Sequence, residues 1–144
     1  MVGIMIAIVS GALMSIQGVF NEGVSKQAGV WASSVFVQFT ALLVCFAAFL
    51  FTLRENSLSA LFGVDHKYML LGGVFGAAIT YTVIRSIASL GPAKAVMIIV
   101  VSQLITAYLI ELFGAFEVEK VGFEMKKLVG VALAVGGIVI FKWK

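Results

Sequence analysis

Five long stretches without a charged side chain organise this chain of 144 residues. They cover residues 1–21, 27–53, 68–84, 95–110 and 128–141. A helix needs roughly 20 residues to cross about 30 Å of hydrocarbon. In lipid the backbone must satisfy its own hydrogen bonds, so such stretches are predicted as helices rather than strands. The predicted spans are residues 3–21, 31–53, 68–90, 93–114 and 126–142, within one transmembrane domain covering residues 1–144. The fold class that follows is all-α integral membrane, with five transmembrane helices. The connections are short. Gly91-Pro92 predicts a tight turn with Pro92 opening the fourth helix, where its missing N–H matters little. Trp31 and Trp143 fall at helix ends on one side, and Tyr68 on the other, as interfacial aromatics do. The first span has no basic segment before it and no small-residue cleavage site, so it reads as a retained helix.

The fifth stretch is the shortest. Its 14 uncharged residues make about 21 Å of helix at ~1.5 Å per residue. To cross, it needs Lys126, Lys127, Lys142 and Lys144 to snorkel, or the bilayer to thin. Small residues recur at helical spacing along the chain. They are Gly3, Ala7, Gly11 and Ser15 in the first span, and Gly72, Gly76 and Thr80 in the third, with Gly73 and Ala77 beside them. In the fifth, Gly130 precedes Ala134 and Ala132 precedes Gly136. Such stripes let helix backbones approach, either within the chain or at a dimer seam.

Composition agrees with the pattern. The apolar fraction is 62%, against roughly 45–50% for an ordinary soluble domain, and mean hydropathy is +1.14. The net charge of +3 is scattered over loops and tail, which argues against a nucleic-acid surface. Cys45 is the only cysteine, so no internal disulfide forms, and it reads as a packing residue. His66 lies between Asp65 and Lys67 and reads as a solvated loop residue. No Cys/His group has metal-ligand spacing, and no hydrolase, kinase or redox motif is present. The 15 glycines form no phosphate loop. The chain is therefore read as a protein without enzymatic activity, cofactor or metal.

The ten Lys and Arg residues divide evenly if all five stretches cross. Arg54, Lys67, Lys120, Lys126 and Lys127 fall on the N-terminal side; Lys26, Arg85, Lys94, Lys142 and Lys144 fall on the other. An excess of Lys and Arg on cytoplasmic loops normally sets orientation. A balanced chain receives no such instruction, and dual topology is the expectation. If the fifth stretch did not cross, the count would become seven against three and orientation would be fixed.

Polar residues within spans are the candidate chemistry, because lipid makes them costly. Arg85 stands too far before the Gly91 turn to be a loop residue, and Glu111 lies about one turn before the end of the fourth span. Glu22 reads as an ordinary charge closing the first helix. Gln103 is near mid-helix, where an unpaired amide costs several kcal/mol, so it is expected to face a partner helix or a wet cavity. Gln17 and Asn21 are four apart and share a helix face. Arg85 and Glu111 fall toward opposite membrane faces, so only an inverted second subunit would bring the two to one level. The candidate substrate-binding set is Gln17, Asn21, Arg85, Gln103 and Glu111.

Several of these residues carry a resemblance. The first span ends in Gln17-Gly18-Val19-Phe20-Asn21. The fourth carries Ser102-Gln103-Leu104, then Glu111-Leu112-Phe113-Gly114-Ala115-Phe116, and follows Gly91-Pro92-Ala93. The fifth begins Lys127-Leu128-Val129-Gly130 and continues through Leu133 and Gly137. In order and spacing these pieces resemble the YdcZ-like five-helix branch of the drug/metabolite transporter superfamily, over nearly the whole chain. Glu111 stands where that family more usually has Asp. The resemblance implies half of a ten-helix inverted-repeat transporter, in a bacterial or archaeal inner membrane, paired with itself or with a close paralogue. Inverted repeats around a midplane site suit alternating access. Four-helix multidrug relatives use a glutamate deep in their first helix to exchange protons for cations. Residues 1–21 contain no acid, which puts that route in doubt. A neutral or zwitterionic metabolite, held by amides and hydroxyls, fits the polar inventory at least as well.

The functional expectation is a small-molecule secondary transporter, an exporter, working as an antiparallel dual-topology homodimer with its cavity lined by the first four helices. The rival expectations are one half of an obligate heterodimer with a paralogue, and a non-transporting membrane subunit. The expected partners are a small solute, the bilayer and a second copy.

Overall fold

A computed structural model describes residues 1–52 and 58–142 of the chain. Arg54, Trp143 and Lys144, and the last residue of the predicted second span, lie outside the described residues. Among the described residues there are five α-helices and no strand. They are α1 (Val2–Ala28), α2 (Val30–Phe51), α3 (Gly72–Leu90), α4 (Pro92–Phe113) and α5 (Met125–Lys142). Short 3₁₀ turns precede α3 at Leu58–Gly63 and Lys67–Leu71, and another follows α4 at Ala115–Glu117.

Four helical segments are long and apolar enough to cross a membrane: Val2–Ala28, Val30–Phe51, Lys67–Leu90 and Pro92–Phe113. Almost none of their apolar surface is covered by protein; in the α4 window the buried share is 0%. Apolar helices left this bare are solvated by lipid, so the chain is an all-α, multi-pass membrane protein. The α5 helix is not among the four, because its 18 residues include Lys126, Lys127 and Lys142.

The first helix runs seven residues beyond the predicted end at Asn21. The apolar stretch ends there, but the helix does not. Lys26 Nζ meets Glu22 Oε1 at 2.8 Å across one turn, and Ser25 donates to the Glu22 carbonyl at 2.8 Å. Glu22 therefore does not close the helix; it lies inside it and is only 8% exposed. Termination comes at Gly29, with φ 87° and ψ 155°, a conformation open essentially to glycine alone. Gly91 takes nearly the same angles, φ 80° and ψ 158°, immediately before α4, and Pro92 is the first residue of that helix.

The chain forms two compact units, Met1–Ala88 and Ser89–Lys144. In the first, α1 and α2 pack against one another. Ser33, fully buried, donates through Oγ to the Asn21 carbonyl at 2.9 Å and fixes the height of α2 on α1. An interhelical bond of this kind is worth roughly 0.6–2 kcal/mol in a membrane. On the α3 side, Gly18 lets Ile87 and Val83 come close: a Cβ on Gly18 would stand 2.7 Å from Ile87 Cδ1. Ile84 and Ile87 are buried there. Trp31 stacks on Tyr81 with ring centroids 4.7 Å apart, and Gln38 Nε2 reaches Thr80 Oγ1 at 3.5 Å. In the second unit α4 packs against α5. Among the described residues the small-residue stripe of α1 is not a packing surface: nothing stands within 4 Å of a Cβ built on Gly3 or Gly11.

Candidate functional site

Among the described residues, an open groove in each unit gathers some of the polar candidates. The first lies between α1 and α2 and holds about 420 Å³. From α1 it takes Gln17 and Asn21, one turn apart. From α2 it takes Val37, Thr40, Ala41, Val44 and Cys45, a stripe at helical spacing. These stripe residues are small beside the neighbouring Phe36, Phe39, Phe46 and Phe49, so the α2 surface is recessed along this face.

Asn21 is the distinctive member. It is 8% exposed, yet among the described residues its side-chain amide has no hydrogen-bond partner. No sealed side-chain nitrogen or oxygen among the described residues lacks a partner, so the amide keeps an opening, and it lines the groove. The Asn21 carbonyl is occupied by Ser33, which locks the helix pair at this level. The Gln17 amide is exposed, likewise without a partner among the described residues. Thr40 donates its hydroxyl to the carbonyls of Phe36 and Val37, both at 3.0 Å, which leaves its oxygen as an acceptor. Cys45 is a free, exposed thiol on the same wall. Among the described residues, no carboxylate, amine or guanidinium lines this groove.

The second groove lies between α4 and α5 and holds about 430 Å³. Leu104, Ala107, Tyr108 and Glu111 line it from α4, and Lys127, Gly130 and Val131 from α5. Its polar end is an ion pair. Lys127 Nζ donates to Glu111 Oε2 at 3.0 Å, sits 5.6 Å from the centre of the Tyr108 ring, and lies 4.0 Å from Glu124 Oε1. The Glu124 backbone N–H donates to the Tyr108 hydroxyl at 3.2 Å, and the Val121 N–H to the Glu111 carbonyl at 2.9 Å. The intervening chain turns through Phe116 and Glu117, both with positive φ, 56° and 66°. The turn is strained, since a left-handed residue costs roughly 1–2 kcal/mol.

The candidates from the sequence therefore separate. Gln17 and Asn21 share the α1–α2 groove. Arg85, on α3, is exposed, does not line that groove and makes no ion pair among the described residues. Glu111 lines the α4–α5 groove and already has a cation, Lys127, within the chain. Gln103, on α4, is exposed and is not part of that lining; its amide has no hydrogen bond among the described residues. Sequence reasoning missed Lys127 as the partner of Glu111, the burial of Glu22, and the α2 stripe from Val37 to Cys45. The stripe left a signal in its spacing of small residues. The Glu111–Lys127 pair, sixteen positions apart, left none. No group of three His, Cys, Asp or Glu residues that could hold a metal occurs among the described residues.

Comparison with known protein families identifies the chain's relatives. The family model described as "Putative inner membrane exporter, YdcZ" matches residues 2–140. No curated protein and no solved structure matches the chain.

Proposed function

The chain belongs to the YdcZ inner-membrane exporter family, and on that premise we propose that it exports a small solute as an antiparallel, dual-topology homodimer by alternating access. The protein is a multi-pass inner-membrane protein, and the family is one of transporters rather than enzymes.

The observation that carries the dual-topology reading is the even division of Lys and Arg, five to each side when all five helices cross. Its dependence on α5 is eased by the length of that helix. Eighteen residues at ~1.5 Å each make about 27 Å, close to the ~30 Å core. Three features favour a second copy. Gln103 presents an amide without a partner among the described residues on an exposed face of α4, which hydrocarbon alone would leave costly. Arg85 does the same with a charge on α3. The stripe of Gly3, Ala7 and Gly11 is bare within the chain and suits close helix approach. The solute is assigned to the α1–α2 groove, where Gln17 and Asn21 offer hydrogen bonds inside an otherwise apolar wall, the usual construction of a small-molecule site.

Paired reporters fused to each terminus, one active only in the cytoplasm and one only outside it, test the reading. Signal from both reporters at each terminus is expected. Signal from one side alone would remove dual topology and leave pairing with a paralogue of opposite charge bias.

A further inference from the structure

We propose that the α1–α2 groove selects uncharged solutes that carry a carboxamide-like edge, and rejects organic cations and anions of the same shape. This rests on the reading of the groove as the solute site of an exporter, and names the class of solute.

The wall of the groove carries the selectivity. Its polar atoms are the Asn21 and Gln17 carboxamides, the Thr40 oxygen and the Cys45 thiol. Each carboxamide offers an N–H donor and a carbonyl acceptor. Thr40 has spent its proton on backbone carbonyls and offers only lone pairs. The wall thus presents donors and acceptors together, as a solute with an adjacent C=O and N–H requires. Val37, Ala41 and Val44 complete it with apolar surface.

Charge is excluded by the same inventory. An ion entering the groove would shed hydration and meet no counter-charge, and an uncompensated ion is far costlier to desolvate than a neutral amide. The acid nearest in sequence, Glu22, does not line the groove and already holds Lys26 at 2.8 Å. The zwitterionic alternative lacks both counter-charges here. The burial of Asn21 sharpens the selection: the residue is only 8% exposed, so its amide has little water to give up when a solute bonds to it.

The single native thiol makes the groove its own reporter. Full-length protein in liposomes is treated with a membrane-permeant maleimide, and the alkylation rate of Cys45 is read by mass spectrometry. The competitors are benzamide, benzamidine and benzoate, alike in size and shape but neutral, cationic and anionic, with acetamide as a smaller neutral. Benzamide is expected to slow alkylation in a saturable way, and the two ions to leave the rate unchanged. Asn21→Leu is expected to weaken the protection about fivefold, the value of one neutral hydrogen bond. Gln17→Leu, at an exposed position, repeats the test should the Asn21 variant fail to fold. Protection by benzamidine or benzoate equal to that by benzamide would overturn the solute class while leaving the groove as a site. An alkylation rate insensitive to both amides, or protection unchanged in both variants, would overturn the site itself. Labelling reads the groove whichever way up the chain inserts, so one-sided insertion would remove the inverted dimer and leave this inference standing.

Discussion

Replacing Gly18 is the sharpest probe of how the first unit is held together. An ideal Cβ at this position stands 2.7 Å from Ile87 Cδ1 and 3.4 Å from Val83 Cγ1. Carbon atoms pack best at about 3.5–4.0 Å, so the first contact is too short by about 0.8 Å or more. The obstructing atom is the end of a side chain, and Ile87 can yield by leaving its rotamer at about 0.5–1.5 kcal/mol. Against this, Gly→Ala within a helix gains about 0.8–1.0 kcal/mol. Gly18→Ala should therefore fall within about 1 kcal/mol of wild type. Gly18→Leu must find room for three more carbons beside Val83 as well, and overpacking of that kind costs about 1–3 kcal/mol. Gly11→Leu is the control, because nothing stands within 4 Å of its Cβ. Unfolding is followed by SDS titration in mixed micelles, in a Trp143→Phe background. Trp31 is then the only tryptophan, and its stack on Tyr81 reports whether α2 and α3 remain together. If Gly18→Leu unfolds at the same SDS fraction as Gly11→Leu, the close approach of α1 and α3 at Gly18 is refuted.

Three further perturbations follow from charge, backbone and the second groove. Lys94→Ala leaves five Lys/Arg on the N-terminal side against four, and should shift the reporters toward a cytoplasmic N-terminus; Lys120→Ala should shift them the opposite way, and no movement in either would discard charge balance as the cause. Gly29→Ala forces a side chain into φ 87°, ψ 155°, and should lose about 1–3 kcal/mol in the same SDS titration, with wild-type stability as the contrary result. Glu111→Gln removes the carboxylate from Lys127, and should raise hydrogen exchange in the first turn of α5 while leaving exchange in α1 and α2 unchanged; uniform exchange across the chain would mean the pair does not hold the α4–α5 hairpin.

How far the sequence could be read depended on which property each residue obeys. Hydropathy marks where the chain leaves lipid, and lipid has nothing to say about where a helix stops. The first apolar stretch ends at Asn21, but α1 continues to Ala28 because Glu22 and Lys26 pair across a turn. A Glu–Lys spacing of four and the following Gly29 were both present in the sequence as continuation and stop signals. The turn at Gly91-Pro92 needed no tertiary information, since glycine permits its angles and proline suits the first helical position. Gln17 and Asn21 could be paired from their spacing alone. What covers Asn21 is tertiary: Ser33 reaches it from twelve residues away, and no local pattern encodes that height.

The small-residue stripes show where spacing misleads. Gly3, Ala7, Gly11 and Ser15 have the regular period expected of a packing seam, yet among the described residues no neighbour stands within 4 Å of a Cβ built on Gly3 or Gly11. Gly18, seven positions beyond Gly11 and so on nearly the same face, is the α1 glycine pressed against a neighbour. A glycine stripe states only that a backbone can be approached closely, not by which helix. In water an uncovered apolar stripe would be driven to cover within its own chain; in lipid there is no such force, and the stripe can wait for another copy. The same reasoning separates the two grooves. Both are built from stripes on two packed helices, but the α4–α5 groove closes its charges on each other through Glu111 and Lys127, whereas the α1–α2 groove leaves its amides unsatisfied. A polar group that has found its partner is structural by default. One held nearly buried without a partner stays open to a ligand, and this favours the proposed solute site at Asn21 over the more conspicuous charge at Glu111.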